Sequence, residues 1–152
     1  MPTEPLLSAL VLTPGVVALL LLATPREAVR LQRWAGLAAS LVAFALALLA
    51  WARFDPANPG FQLVEARTWL PSVGIAYRLG MDGISLLLVL LTTLLQPLVF
   101  ISSWKPIHTR VKGYVISMLL LETGILGAFL ATDVVLFYVF WEVMLIPMYL
   151  LI

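Results

Sequence analysis

The stretch GYVISMLLLETGILGAFLATDVVLFYVFWEVMLIPMYLLI, residues 113–152, decides the fold. A helix rising about 1.5 Å per residue crosses a hydrocarbon core of about 30 Å in about 20 residues. This apolar block is 40 residues long. It is twice one span and must fold back. Thr132-Asp133 is the only polar pair that can host the reversal. The reading is one helix over residues 113–131 and another over 133–152, antiparallel neighbours joined by a very short turn.

Working outward, three more apolar blocks cover residues 6–23, 34–51 and 84–104. The first is closed by Thr24-Pro25-Arg26. Its start carries Glu4 and lacks the basic residues of a secretory leader, so it reads as a retained span. The expectation is an all-α membrane protein, a polytopic bundle of five transmembrane helices. Composition agrees: the 152 residues are 62% hydrophobic and 11% charged, with a mean hydropathy of +1.07. A soluble domain carries about 25% charged residues. A net charge of +1 gives no footprint for nucleic acid. Cysteine is absent and His108 is the sole histidine, which removes iron–sulfur ligation and nearly all haem and zinc schemes.

Charge orients the spans. Arg26, Arg30 and Arg33 lie between the first two, and Lys105, Arg110 and Lys112 between the third and fourth. The positive-inside rule places these loops in the cytoplasm and the N-terminus outside. Residues 52–83 then form an extracytoplasmic loop. It opens on the turn cluster Asp55-Pro56-Ala57-Asn58-Pro59-Gly60, and residues 61–77 have the mixed pattern of short surface strands. Trp34, Trp51 and Trp104 fall at span ends, as interfacial anchors do. Asp82 and Ser85 are spaced as an N-cap and its third helical residue, and Asp133 also starts a helix. Ala35, Ala39, Ala43 and Ala47 make a small-residue stripe suited to close helix approach or to plain lipid contact. Gly124 and Gly127 carry the same two readings.

Two carboxyl groups lie within spans: Glu122 and Glu142. Each is ten residues from Thr132, which predicts matching depth about 15 Å from the turn. Acidic side chains there cost roughly 2.5–3.5 kcal/mol on insertion scales. Desolvation disfavours the charged form, and a carboxyl so placed can hold a proton and release it when water or a cation arrives. Proton carriage is one reading of both; a neutral acid bonding helices together is the other. Two features favour carriage at Glu142. Trp141 sits beside it away from either interface, and Pro147 leaves the carbonyl of Val143 without its helical donor. Either could shape a hydrated break, although a passive proline kink has the same sequence. His108 reads as a solvated loop residue, and nothing provides a glycine-rich phosphate loop or a site for NADH, flavin or a metal.

Residues 131–152, with Phe140-Trp141-Glu142-Val143-Met144-Leu145-Ile146-Pro147-Met148-Tyr149 at their heart, closely resemble the fifth-helix signature of subunit M (chain 4) of proton-translocating NADH:quinone oxidoreductase, respiratory complex I. Gly80-Met81-Asp82-Gly83-Ile84-Ser85-Leu86 is similar to the family's third-helix start, and Leu121-Glu122-Thr123-Gly124 to its fourth helix. The resemblance implies a membrane-arm subunit of an oxidoreductase that couples NADH-to-quinone electron transfer to proton translocation, in a bacterial inner (plasma) membrane. It implies Glu142 as the proton-translocating residue, Glu122 as a second candidate, and Trp141 and Pro147 as supports. NADH, FMN, iron–sulfur clusters and quinone would sit on partner subunits, none on this chain, and its partners would be the other membrane-arm subunits, lipid and protons. In the family the fifth-helix glutamate is held to interact with lysines on later helices. This chain has no such helices and reads as an N-terminal portion truncated after helix 5. Mrp-type sodium/proton antiporter subunits share the intramembrane glutamate, which leaves an antiporter subunit or a non-catalytic scaffold as rival expectations.

Overall fold

A computed structural model describes residues 4–152; the first three residues lie outside that description. Five helices are present: α1 (Leu6–Leu22), α2 (Val29–Ala52), α3 (Gly83–Ser102), α4 (Val111–Leu130) and α5 (Val134–Leu151). The last four are 18 to 24 residues long and apolar enough to cross a membrane. Helix α1 has the same character at 17 residues, about 26 Å of rise. The chain is thus a multi-pass membrane protein.

It is not purely helical. Between α2 and α3 a two-stranded antiparallel hairpin forms from β1 (Gln62–Leu70) and β2 (Ile75–Met81). A single 3-10 turn at Pro71–Val73 joins the strands, and Gly74 closes it in the left-handed region at φ 70°. An isolated hairpin is marginal in water. This one is held by the helix ends. Thr132 donates its backbone N–H to the Arg78 carbonyl at 3.0 Å, and Leu79 bridges to Ala131. The α4–α5 reversal is therefore an extended segment paired with β2. That pairing is why α5 begins at Val134, with Asp133 accepting from the amides of Val135 and Leu136.

The opposite contact of the hairpin is a buried charge. Glu65, 7% exposed, accepts from the amide of Leu7 at 2.5 Å, from the amide of Ser8 at 3.1 Å and from the Ser8 hydroxyl. These amides belong to the first turn of α1, which has no capping side chain of its own. A carboxylate there satisfies free N–H groups and meets the positive end of the helix dipole. Helix α3 is capped locally. The Ser85 amide donates to Asp82 at 2.7 Å and the Asp82 amide to the Ser85 hydroxyl at 2.8 Å. The backbone hydrogen bond from Ser85 holds the Asp82 carboxyl below the usual carboxylate range. Its contribution is full above the ordinary carboxylate pKa and is lost as pH falls through the lower folded value.

The other end of the bundle is basic. Helix α2 starts at Val29, several residues before its apolar block. Its first turn is fixed by Gln32, whose amide donates to the Pro25 carbonyl at 2.8 Å, while Arg30 and Arg33 keep their charged heads toward the surface. Arg33 donates to the Ile107 carbonyl at 2.6 Å and lies over the Trp104 ring. Trp104 in turn meets Trp34 edge-on. Lys112, read above as a loop residue, is in the first turn of α4. Its ammonium caps α1 by donating to the carbonyls of Leu22 and Thr24 at 2.9 and 2.7 Å.

Helix α4 is central. It packs on α1, α2, α3 and α5, whereas α5 packs chiefly on α4. The alanine stripe of α2 is a packing face: Ala43 and Ala47 are fully buried. The α4–α5 contact depends on two glycines. A Cβ at Gly124 would lie 3.0 Å from the backbone nitrogen of Met144, and one at Gly127 would overlap the Phe140 ring. Nothing lies within 4 Å of a Cβ at Gly83. Gly124→Val should therefore lower the unfolding free energy by about 1–3 kcal/mol, while Gly83→Ala leaves it nearly unchanged, read by denaturant unfolding in lipid. Glu65→Ala should cost about 1–2 kcal/mol and accelerate hydrogen exchange selectively at Leu7 and Ser8.

Candidate functional site

The interior of the bundle is divided into two apolar clusters. On the hairpin side Leu10 and Val11 of α1 meet Ala43 and Ala47 of α2, Val89 of α3 and Leu126 of α4. On the basic side Ala18 and Leu21 meet Ala39, Phe100, Val115 and Leu119. Between the clusters each of the first four helices contributes a polar or backbone-breaking residue. Helix α1 supplies Pro14-Gly15 and α2 supplies Ser40. Helix α3 supplies Thr93 and Gln96-Pro97, and α4 supplies Glu122-Thr123. All are buried.

Most of this layer is satisfied locally. Ser40 donates to the Leu37 carbonyl, and Thr93 to the Val89 carbonyl, both at 2.8 Å. Gln96 crosses from α3 to α4 and donates to the Met118 carbonyl at 3.0 Å. Glu122 is the exception. It is 1% exposed, and neither carboxyl oxygen has a hydrogen-bond partner. The Thr123 hydroxyl oxygen beside it is also unpartnered, packed against Gly15. Pro14 and Pro97 have no N–H, which leaves the carbonyls of Leu10 and Thr93 without their helical donors. A buried charge without a partner is strongly disfavoured, whereas a neutral acid both donates and accepts. This layer is chemically competent to hold a proton between two dry apolar clusters.

Glu142 is placed differently. It lies on the exposed face of α5, directed away from the other helices, with Tyr138 one turn before it on the same face. Tyr138 is 60% exposed and Trp141 is 47% exposed. The Trp141 ring leans on Phe137 with centroids 5.9 Å apart, so it packs along α5 and not over the carboxyl group. Pro147 is buried on the opposite side, toward α4. The two glutamates are therefore not brought together. Their depths also differ. With Gly124 against Met144 and Gly127 against Phe140, Glu122 is level with about residue 145. It lies roughly one turn, ~5 Å, nearer the basic end than Glu142. Counting both from Thr132 predicted equal depth. The extended segment paired with β2 shifts α5 along α4 and removes that symmetry.

Sequence reasoning passed over Ser40, Thr93 and Gln96, although each is visible as a polar break within an apolar run. Glu65 gave no local signal, because its partners are 57 and 58 residues away. Among the described residues no group of three His, Asp or Glu side chains could hold a metal ion.

Comparison with known proteins gives a consistent picture. Residues 15–131 match the family model described as NADH-ubiquinone oxidoreductase chain 4, amino terminus. The chain is 48% identical to NADH-quinone oxidoreductase subunit M of Rhodobacter capsulatus, covering 97% of this chain and 29% of that protein. It is 42% identical to NADH-ubiquinone oxidoreductase chain 4 of Arabidopsis thaliana, covering 96% and 30% respectively. A chain in the solved structure of respiratory complex I from Thermus thermophilus with bound NADH superposes with a TM-score of 0.75 at 30% identity, covering 93% of this chain and 27% of that one. The chain thus spans less than a third of the length of these relatives.

Because Glu122 has no partner to lose, its replacement by an apolar side chain of similar length should not destabilise the bundle. Glu122→Met is expected to raise the unfolding free energy in lipid by about 1–3 kcal/mol. Loss of stability would show that the carboxyl group is bonded within the layer.

Proposed function

The chain belongs to the subunit M (chain 4) family of NADH-quinone oxidoreductases, and from that membership we propose that it is the N-terminal five-span part of a proton-translocating unit in the membrane arm of respiratory complex I. Electron transfer from NADH to quinone takes place on other subunits, which hold the FMN, the iron–sulfur clusters and the quinone. This chain contributes the response in the membrane. Glu142 is its principal protonatable group and Glu122 a second. The observation that carries this reading is one carboxyl group on each of two tightly packed antiparallel helices, about one turn apart in depth, in a bundle with few other charges between its ends.

The exposed position of Glu142 supports the reading in a specific way. A carboxyl group facing hydrocarbon is costly, and intramembrane ionisable residues face protein or water-filled cavities. Tyr138, Glu142 and Tyr149 form a polar stripe on an otherwise apolar span. Such a stripe suits a face covered by further protein, and the relatives are about three times as long as this chain. On this reading Glu142 exchanges its proton with groups of that covering segment. Pro147 leaves the Val143 carbonyl, one residue on from Glu142, without its helical donor, and Trp141 packs along α5 on Phe137. The gathering of Arg33, Lys112 and both short loops at one end favours that end as cytoplasmic, with the hairpin outside a bacterial plasma membrane. Helix α1 then makes the fifth span.

Glu142→Gln keeps the size and hydrogen-bonding capacity of the side chain and cannot titrate. In inverted vesicles carrying the assembled complex, it should lower NADH-driven proton uptake about tenfold or more. NADH oxidation by a soluble artificial acceptor should be unchanged. Unaltered proton uptake would leave the carboxyl group as mere packing.

A further inference from the structure

A groove of about 670 Å³ runs along the outer side of α1, from the hairpin to the middle of the helix. Toward mid-helix it is lined by Leu12, Val16 and Val17, with Thr13 among them turning its hydroxyl to the Ala9 carbonyl at 2.6 Å. Its mouth is polar, with Arg67 of β1, Tyr77 of β2 and Ser8 of α1. Arg67 and Tyr77 face each other in the hairpin register, so the guanidinium and the phenol share one rung. From Ser8 to Val17 the helix rises about 14 Å. That is close to half a hydrocarbon core of about 30 Å, the depth of one leaflet.

Arg67 makes no direct ion pair at the mouth; among the described residues the only ion pair joins Arg53 to Glu4. The nearby Glu65 is buried and its carboxyl oxygens are taken up by the amides of α1 and the Ser8 hydroxyl, while its charge opposes that of Arg67 at the Tyr77 phenol. The Tyr77 phenol lies 2.8 Å from the Ser8 hydroxyl, and burial pushes its pKa up, which keeps it a neutral hydrogen-bond donor. The mouth thus presents the Arg67 guanidinium at the level where a span leaves hydrocarbon, beside a Ser8 hydroxyl and Tyr77 phenol bonded to each other and, through Ser8, to Glu65. Trp69, two residues along β1 from Arg67 and half exposed, adds an aromatic ring of the kind found at headgroup level.

We propose that the groove is a site for one anionic phospholipid of the hairpin-side leaflet, its phosphate on Arg67 and one acyl chain along Leu12, Val16 and Val17. An apolar helix from a neighbour would match Leu12, Val16 and Val17 but leave Arg67 unpaired at the mouth. A phospholipid supplies the anion and the chain together, with the length of one leaflet. The bound lipid would brace the hairpin against α1 next to the Glu65–Ser8–Tyr77 contacts.

The chain contains no cysteine, so a single Ala9→Cys at the mouth of the groove is a clean probe. The assembled complex is placed in nanodiscs of phosphatidylcholine, with or without phosphatidylglycerol, and maleimide labelling of this chain is followed by mass. Phosphatidylglycerol should slow labelling about fivefold, the effect of one basic residue on an anionic lipid. Arg67→Gln should abolish that difference, and Val16→Trp, which fills the groove toward mid-helix, should weaken it. Inorganic phosphate in phosphatidylcholine discs should change nothing. Equal labelling in both lipids, a difference that survives Arg67→Gln, protection by inorganic phosphate alone, or cross-linking of position 9 to a neighbouring helix would each overturn the proposal.

Discussion

Hydrocarbon offers no hydrogen bonds, so every polar group drawn into a membrane must be satisfied by the protein or give up its charge. Nearly every unusual feature of this chain answers that constraint. The backbone is helical wherever the sequence is apolar, and the strands are confined to one end. Helix ends are closed by side chains from elsewhere in the chain: Glu65 at the start of α1 and Lys112 at its finish. Ser40, Thr93 and Gln96 bond to helix carbonyls. Against that background Glu122 stands out as a buried acid with nothing to bond, and Glu142 as an acid on an uncovered face.

The two glutamates therefore hold different positions in the bundle. Glu122 sits in a polar layer between two apolar clusters, closed to solvent by the helices around it. Glu142 lies about one turn away in depth on the far side of the α4–α5 seam, open to whatever covers α5. The seam itself is tight, because Gly124 and Gly127 present no side chain of their own to Met144 and the Phe140 ring of α5. Movement of a proton at one carboxyl group would be felt at the other through this contact and through the shared low-dielectric interior.

Much of this was legible in the residues. The forced reversal in the final apolar block and the caps at Asp82 and Asp133 follow from local chemistry, and local chemistry is what a sequence records; α2 runs five residues further toward its basic end than its apolar block suggests. The hairpin was half legible: its turn cluster and mixed pattern were plain, but its docking depends on Arg78, Leu79 and Glu65 meeting distant helix ends. The depth of the glutamates was misjudged for the same reason. Counting residues from Thr132 assumes a symmetric turn, and an extended segment held by β2 is not symmetric. The polar layer was visible only as single polar residues in four separate runs. Nothing in one helix states that it will stand level with the breaks in its neighbours.

The claim on which all this rests is that a carboxyl group within α5 changes its protonation as the parent complex works. Infrared difference spectroscopy of the membrane-embedded complex tests it directly, by following the carbonyl stretch of protonated acids when NADH is added. The account predicts a carboxylic-acid band that shifts or disappears during turnover and is missing from the spectrum of Glu142→Gln. A turnover spectrum with that band unchanged in the variant would contradict it.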